Sequence, residues 1–159
     1  SGLDLVILRP PLVYGPAVVG NLRALIRLVA SGLPLPLAGI DNRRSLIALD
    51  NLVALTALAC THPAAGGRIW LARDGVDLST PQLLAALAAG LGRRLRLYPL
   101  PDALLGAARA LPILGPLLAP LTLSLQVDDS ETRELIGWMP TQPPEAGLAA
   151  AARAFLRQD

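Results

Sequence analysis

The chain has 159 residues, 53% of them hydrophobic and 16% charged, with a formal net charge of +2. This is enough for one domain with its own core, or for a large part of a bigger one. All the basic residues are Arg, scattered without a basic block, so we expect no nucleic-acid partner and no mechanism that needs a Lys.

The single cysteine and single histidine exclude two further classes of site. Cys60 has no second cysteine to pair with, and Cys60 and His62 are too few ligands for a zinc site built from these residue types. A Ser-His-Asp triad would have to use His62, for which a solvated loop is the simpler interpretation. One cysteine and no visible signal peptide favour a cytoplasmic location.

The predicted elements alternate between short strands and helices, which indicates an α/β class. Residues 3–8 are an apolar run typical of a strand buried on both faces, and Pro10 and Pro11 should end it. Asn21, Asp50 and Asp129 are expected to cap helices, and Ser79 with Gln82 to form a capping box. In chain order the remaining predictions are helix 21–29, extended 33–39, strand 44–49, helix 52–60, strand 69–72, helix 79–91, strand 95–98, helix 101–111, a short helix to 137 and helix 143–156.

The segment over residues 110–125 is the most membrane-like part of the sequence. It is uncharged, but prolines at 112, 116 and 120 interrupt it at every fourth residue. A membrane-spanning helix needs about twenty apolar residues with few breaks. We therefore expect short helical turns on a core, with a membrane-surface role as the alternative.

Three local features could carry function. Arg9-Pro-Pro-Leu-Val-Tyr-Gly-Pro16 follows the first apolar strand, at the end where parallel sheets bind ligands, although a plain strand exit explains it equally well. Asn42-Arg43-Arg44-Ser45 precedes a short apolar strand, and an arginine there could hold a diphosphate through its planar fork, although a solvated pair of surface arginines is the simpler interpretation. Trp138 is expected to anchor the core. The sequence around Gly90-Leu91-Gly92 is not that of a coenzyme-binding loop. The context of Asp128-Asp129 does not suit an acid-base pair.

These segments together resemble the extended short-chain dehydrogenase/reductase superfamily. The segment 9–16 with Gly20-Asn21-Leu22 is similar to the stretch after the superfamily's catalytic helix. Residues 44–52 resemble its Arg-x-(aromatic or aliphatic)-x-x-x-Asp stretch, and residues 128–140 its Asp-x-Ser…Leu-Gly-Trp-x-Pro signature. The motifs keep the family order and cover essentially the whole chain. They are most similar to NAD-dependent epimerases/dehydratases of the UDP-glucose 4-epimerase-like type.

The resemblance implies binding roles but no catalytic residue within this chain. The implicated residues are Pro10, Pro11 and Leu12 against the nicotinamide ring of the cofactor, Asn21, Leu22 and Arg44 at the diphosphate of the substrate, and Leu35, Pro36 and Ala38 along its base. Two positions depart from the family. Many sugar-specific members have Asn where Leu12 stands, and residues 120–125 contain no Arg where a second diphosphate arginine is often found.

The same resemblance gives the expected organisation and function. Residues 1–16 would be the last strand and exit loop of a Rossmann sheet, and residues 17–159 the substrate-binding region. The coenzyme loop and the Tyr-x-x-x-Lys pair would lie upstream of Ser1, in a Rossmann half that binds NAD, with NADP as an alternative. The parent would be an epimerase/dehydratase of polysaccharide biosynthesis, and this chain alone would be inactive. The chain could also form a homodimer. Alternatives are a non-catalytic binding or assembly module of the same fold, and a membrane-surface protein.

Overall fold

The computed structural model describes residues 4–17, 19–112 and 114–157, which form a mixed α/β structure of short parallel strands and helices. The elements in chain order are β1 (Ile7–Arg9), β2 (Leu12–Tyr14), α1 (Gly20–Ala30), β3 (Leu46–Ala48), α2 (Leu49–Thr61), β4 (Ile69–Leu71), α3 (Thr80–Leu91), α4 (Asp102–Ala110), α5 (Leu114–Thr122), α6 (Ser130–Ile136) and α7 (Pro144–Phe155).

The described strands form two parallel pairs. β1 pairs with β4, with Leu8 opposite Trp70, and β2 pairs with β3, with Val13 opposite Ile47. The prolines at 10 and 11 separate β1 from β2 because neither can donate a ladder hydrogen bond. The predicted exit loop therefore contains a second strand, which the sequence analysis missed.

The expectation that the first strand is buried on both faces is wrong for this chain. Ile7 is 37% exposed and Leu5, just before β1, is 59% exposed. Among the described residues β1 has β4 as its one strand partner, so the other edge and part of its apolar surface face solvent. Leu3, where the predicted strand begins, lies outside the described residues.

Two hydrophobic clusters form the core. The larger joins α1, α3 and α7 to Tyr14 and Leu46, and the smaller surrounds Trp70 and Trp138 between β4, α2 and α6. Trp138 is 3% exposed, which confirms its predicted role as an anchor. The helices α3 and α7 pack so closely that a Cβ added at Gly90 would lie 2.7 Å from the Cα of Ala149.

Helix starts show where local sequence decides the structure and where it does not. The capping box at Ser79 is confirmed: its hydroxyl accepts from the Gln82 N–H while the Gln82 amide oxygen accepts from the Ser79 N–H. The predicted caps Asn21 and Asp50 are wrong, since Asn21 lies inside α1 and Asp50 lies in the first turn of α2. Asp129 occupies the N-cap position of α6, as predicted, but its side chain makes no cap hydrogen bond.

A buried carboxylate explains why Asp50 is not needed as a cap. Asp74 accepts hydrogen bonds from the Ala48 N–H, the Asn51 amide and the Tyr14 hydroxyl, the last at 2.6 Å. The Asn51 oxygen in turn accepts from Thr141. This group of side chains joins β2, the start of α2 and the segment before α7, so Asp74 satisfies groups from distant parts of the chain.

The remaining differences are small. The predicted strand over residues 95–98 is one parallel bridge between Leu35 and Leu97. The proline-punctuated segment contains α5, with Pro120 inside the helix; Ile113 lies outside the described residues. Across the part of the chain that the structure describes, no helix combines the length and apolar character required to cross a membrane.

Candidate functional site

A cavity of about 280 Å³ lies between α1 and the C-terminal end of α5. Its two walls differ in chemistry: α1 contributes an aliphatic stripe, and the opposite wall carries the polar groups of Arg44 and Thr80. The described lining residues are Leu12, Asn21, Leu22, Ala24, Leu25, Leu28, Arg44, Thr80, Leu83, Pro120 and Leu121. An apolar cavity with a few converging polar groups is the usual form of a small-molecule site.

The backbone of Arg44 is fixed while its side chain faces the cavity. The Arg44 N–H donates to the Leu78 carbonyl, and the Leu78 N–H donates back to Arg44. The guanidinium Nη1 donates to the carbonyls of Pro120 at 2.6 Å and Leu123 at 3.1 Å. Burial lowers the pKa of Arg44 below its usual value, but a guanidinium remains charged at any physiological pH. Arg44 therefore places a positive charge at the cavity wall.

Two more side chains build the wall that Arg44 belongs to. Asn42 is 3% exposed; its amide nitrogen donates to the carbonyls of Leu121 and Leu123, and its oxygen accepts from the Thr80 N–H. The Thr80 hydroxyl donates to the Leu121 carbonyl at 2.7 Å. Arg44, Asn42 and Thr80 thus cap the carbonyls at the C-terminal end of α5, and we call these three residues the capping cluster.

Four of the nine predicted site residues meet at this cavity: Leu12, Asn21, Leu22 and Arg44. Leu12 comes from β2, Asn21 and Leu22 from the first turn of α1, and Arg44 from the segment before β3. The cavity therefore combines the strand exit with the arginine that the sequence analysis singled out. Their roles in binding remain predictions.

The other five predicted residues do not line the cavity. Pro10 and Pro11 form the kink between β1 and β2, Pro10 exposed and Pro11 half-buried. Leu35 is 5% exposed and belongs to the larger core cluster, whereas Pro36 is half-buried and Ala38 exposed. Since the Leu35 backbone pairs with Arg96 and Tyr98, this segment is held beside the core instead of at the cavity wall.

Sequence reasoning missed Asn42 and Thr80. Thr80 was interpreted only as part of a capping box, and Asn42 only as a neighbour of Arg44. Their partners are carbonyls near residue 121, 41 residues from Thr80 and 79 from Asn42. Backbone carbonyls carry no residue-type signal, so no pattern in the sequence could have paired them.

The other polar groups of interest fit structural roles. A second cavity includes Asp4, Cys60 and His62, and Cys60 lies at the C-terminal end of α2. The His62 Nδ1 accepts from the Ala64 N–H. No group of three or more His, Cys, Asp and Glu side chains suits a metal within the described ranges.

Tyr14 is also unsuited to act as a base. Burial, followed by its hydrogen bond to Asp74 and the charges of Asp74 and Glu145, raises the pKa of its phenol far above the ordinary value. The phenol therefore stays protonated at any physiological pH. Tyr98, the other tyrosine, is 45% exposed outside the cavity.

The residues predicted to contact the cofactor fit part of NAD. Pro10, Pro11 and Leu12 offer apolar surface at the carboxyl end of β1, and the prolines have no N–H to donate. Such a surface suits one face of a flat ring but cannot hold a phosphate. Among the described residues, no glycine-rich turn joins a strand to a helix start in the way a dinucleotide pyrophosphate requires.

No family model matches the chain. A curated relative, a UDP-glucose 4-epimerase of Vibrio cholerae, is 39% identical over 158 residues. That match covers 99% of this chain and 48% of the relative, so the chain spans about half the length of the curated protein it matches.

Solved structures also match this chain over about half of their own length. The UDP-glucose 4-epimerase of Thermotoga maritima with UDP-glucose matches 99% of this chain and 47% of its own, at a TM-score of 0.66 and 18% identity. The UDP-glucuronic acid 4-epimerase of Bacillus cereus, in complex with UDP-glucuronic acid and NAD, matches 99% of this chain and 46% of its own, at a TM-score of 0.70 and 18% identity. At this identity the likeness establishes the fold.

Proposed function

Because the chain belongs to the extended short-chain dehydrogenase/reductase superfamily and corresponds to the C-terminal part of its NAD-dependent epimerases, we propose that it is the substrate-binding portion of a nucleotide-sugar epimerase/dehydratase. The proposed substrate is a UDP-sugar, the proposed reaction type is 4-epimerisation, and the proposed setting is cytoplasmic polysaccharide biosynthesis. Relatives whose names carry these activities share this fold over about half their length.

One observation carries the proposal: Arg44, Asn21, Leu22 and Leu12 line one cavity although they come from three different segments. A guanidinium offers paired N–H donors and a permanent charge, which suit a phosphate group. The aliphatic side chains of α1 give the apolar part of a nucleotide a surface to lie against. Arg44 and Asn21 would hold the diphosphate, and Leu22 would pack beside it.

NAD, when bound, accepts a hydride from a sugar carbon and returns it, and the contribution of this chain would be to bind and position. Pro10, Pro11 and Leu12 would lie against the nicotinamide ring. Leu35, Pro36 and Ala38 remain candidates for the base, although they are not among the residues that line the cavity. The chain has no Lys, and Tyr14 stays protonated, so we expect no turnover by this chain alone.

The proposed partner is the Rossmann half of the relatives, which this chain does not cover. A parallel sheet of two strands leaves apolar surface exposed, and parallel sheets normally have both faces covered. β1 presents Ile7 at 37% exposure, and Val13 in β2 is 38% exposed. Further parallel strands beside β1 would cover this surface.

Calorimetric titration with UDP tests the proposal. We expect saturable binding, with Arg44→Ala raising Kd by at least about tenfold, since a charge-assisted hydrogen bond contributes roughly 1.5–3 kcal/mol. Arg43→Ala is the matched control, because Arg43 is exposed, pairs with the exposed Asp41 at 3.4 Å and is not among the described residues that line the cavity. Equal effects of the two substitutions, or no binding of UDP, would contradict the proposed site.

A turnover assay tests the second half of the proposal. The chain alone is mixed with NAD and UDP-glucose, and the formation of UDP-galactose is followed by chromatography. We expect no product above the rate without protein. Robust turnover would refute the assignment of this chain to binding alone.

A further inference from the structure

We propose that the cavity neutralises a single negative charge of its ligand, so that the second phosphate of a nucleoside diphosphate adds little affinity, and that Leu121 sets this preference. The inference deepens the proposed function and rests on it. It concerns how the site divides its affinity between the parts of a nucleotide.

The first support is the charge of the lining. Arg44 is the one cationic side chain among the described residues that line the cavity, and the other polar side chains are Asn21 and Thr80. The rest of the described lining is aliphatic. A nucleoside diphosphate carries more than one negative charge, so one guanidinium leaves part of that charge without a cation.

The second support is that the Arg44 guanidinium already has hydrogen-bond partners within the protein. Its Nη1 donates to the carbonyls of Pro120 and Leu123 at the end of α5. The C-terminal end of a helix carries roughly half a negative elementary charge. The guanidinium therefore neutralises α5 as well as the ligand, and the potential it offers an anion is weaker than that of an equally buried arginine without these carbonyl partners.

The third support is the place of Leu121. It lines the cavity next to Pro120 and is half-buried against the larger core cluster, while its carbonyl accepts from Asn42 and Thr80. The backbone at 121 is thus held in place, and an aliphatic side chain stands beside the Arg44 guanidinium. A ligand phosphate near Leu121 would lose water and gain no donor, which costs affinity.

The test compares UMP with UDP by calorimetry on the chain and on two variants. For the chain itself we expect UDP to bind no more than about threefold more tightly than UMP. Leu121→Arg should raise the preference for UDP by about tenfold, because it supplies a charge-assisted hydrogen bond to the second phosphate.

Ala24→Arg is a second variant that keeps the test valid if Leu121→Arg does not fold. Ala24 lines the cavity from α1, is exposed, and lies in a helix that tolerates Arg well. We expect it to raise the preference for UDP in the same direction. Leu104→Arg is the control for added charge, since Leu104 lies on α4, is 57% exposed and is not among the residues that line the cavity. This variant should prefer UDP over UMP to the same degree as the original chain.

The outcomes separate the two proposals. If neither UMP nor UDP binds, the proposed function fails and this inference with it. If both bind but UDP is more than about thirtyfold tighter, the site does neutralise the second phosphate, and the inference alone is overturned. Unchanged preferences in both Leu121→Arg and Ala24→Arg would also overturn it.

Discussion

Two half-buried arginines of this chain have opposite surroundings. Arg44 bonds to the uncharged carbonyls of Pro120 and Leu123, beside an open cavity. Arg73 lies between two carboxylates, with ion pairs to Asp77 at 2.9 Å and to Asp129 at 3.1 Å. Burial lowers the pKa of Arg44, whereas for Arg73 burial is outweighed by hydrogen bonds and charges of Asp77 and Asp129, which raise the pKa.

This difference means that the charge of Arg44 is available to a ligand, whereas the charge of Arg73 stabilises the fold. Arg73 has its counter-charges within the protein, and Asp129 also binds Arg133 at 2.7 Å, so the group joins α6 to the loop between β4 and α3. We call Arg73, Asp77, Asp129 and Arg133 the ion network. The cavity side of the molecule has the positive charge of Arg44, whose described hydrogen-bond partners are carbonyls, and an anionic ligand could supply the counter-charge.

The largest expected effect comes from breaking the ion network. Asp129→Ala removes the carboxylate, 3% exposed, that two arginines share, and leaves both partly buried without it. We expect a loss of about 3 kcal/mol in the free energy of unfolding, because an uncompensated buried charge is costly. Urea unfolding measures it.

The affinity for UDP should change little in the folded Asp129→Ala protein, because Asp129 does not line the cavity. Asp41→Ala is the control: this side chain is 85% exposed and pairs weakly with Arg43, so its removal should cost at most about 0.5 kcal/mol. Equal losses in the two variants would contradict the distinction between paired and exposed charge.

A smaller loss of stability, accompanied by a loss of binding, is expected from the capping cluster. Asn42→Ala leaves the Thr80 N–H and the carbonyls of Leu121 and Leu123 without this partner. We expect about 2 kcal/mol of destabilisation, the typical cost of buried groups left unpaired. The affinity for UDP should fall severalfold, because the wall that holds Arg44 loosens.

Measuring both quantities on Asn42→Ala decides whether the capping cluster positions Arg44. Ser124→Ala is the comparison, since its hydroxyl accepts one exposed hydrogen bond from the Arg43 N–H at the same segment. It should change neither quantity by much. A destabilised Asn42→Ala protein that binds UDP with unchanged affinity would show that the cluster serves the fold alone.

The smallest effect concerns pH. Burial alone would raise the pKa of Asp77, but hydrogen bonds from Gln126, Ser45 and Arg73, with the charge of Arg73, lower it. A carboxylate with a lowered folded pKa stabilises the protein above its unfolded pKa, near 3.9, and this contribution is lost as the pH falls through the folded value.

In Asp77→Asn, the free energy of unfolding should therefore fall less steeply as the pH is lowered. Above about pH 5, roughly one unit above the unfolded pKa, its dependence on pH should be unchanged. Unfolding midpoints in urea from about pH 5 down to pH 2 would measure it. An equally steep acid side in the variant would show that Asp77 does not link the ion network to pH.

The sequence predicted features that depend on neighbouring residues. The capping box at Ser79 needs only residues within one turn, and it is confirmed. The same helix ends at Gly92 in the left-handed conformation. Caps at Asn21 and Asp50 did not form, and Asp129 stands at the N-cap position of α6 without a side-chain cap because its carboxylate binds two arginines. Asp74 accepts from the N–H of Ala48, the residue before α2, which is 26 residues away.

The candidate site was predictable only in part for the same reason. Arg44, Asn21 and Leu12 were identified because they stand in motifs that resemble a known superfamily. Asn42 and Thr80 were not, because they bind main-chain carbonyls that any residue type would present. The strand β2 was missed because Pro10 and Pro11 indicate an exit, and only the partner β3 shows that pairing resumes at Leu12.

The close approach of α3 and α7 at Gly90 has a consequence for engineering this molecule. Even the methyl group of an Ala at position 90 would lie 2.7 Å from the Cα of Ala149 and push the two helix backbones apart. Displacing α7 would also disturb Gly147, which packs against the Tyr14 ring next to Asp74. Gly90→Ala is thus a natural choice for a heat-sensitive allele, since one added atom would displace the last helix and, through Tyr14, disturb the strand that begins at Leu12.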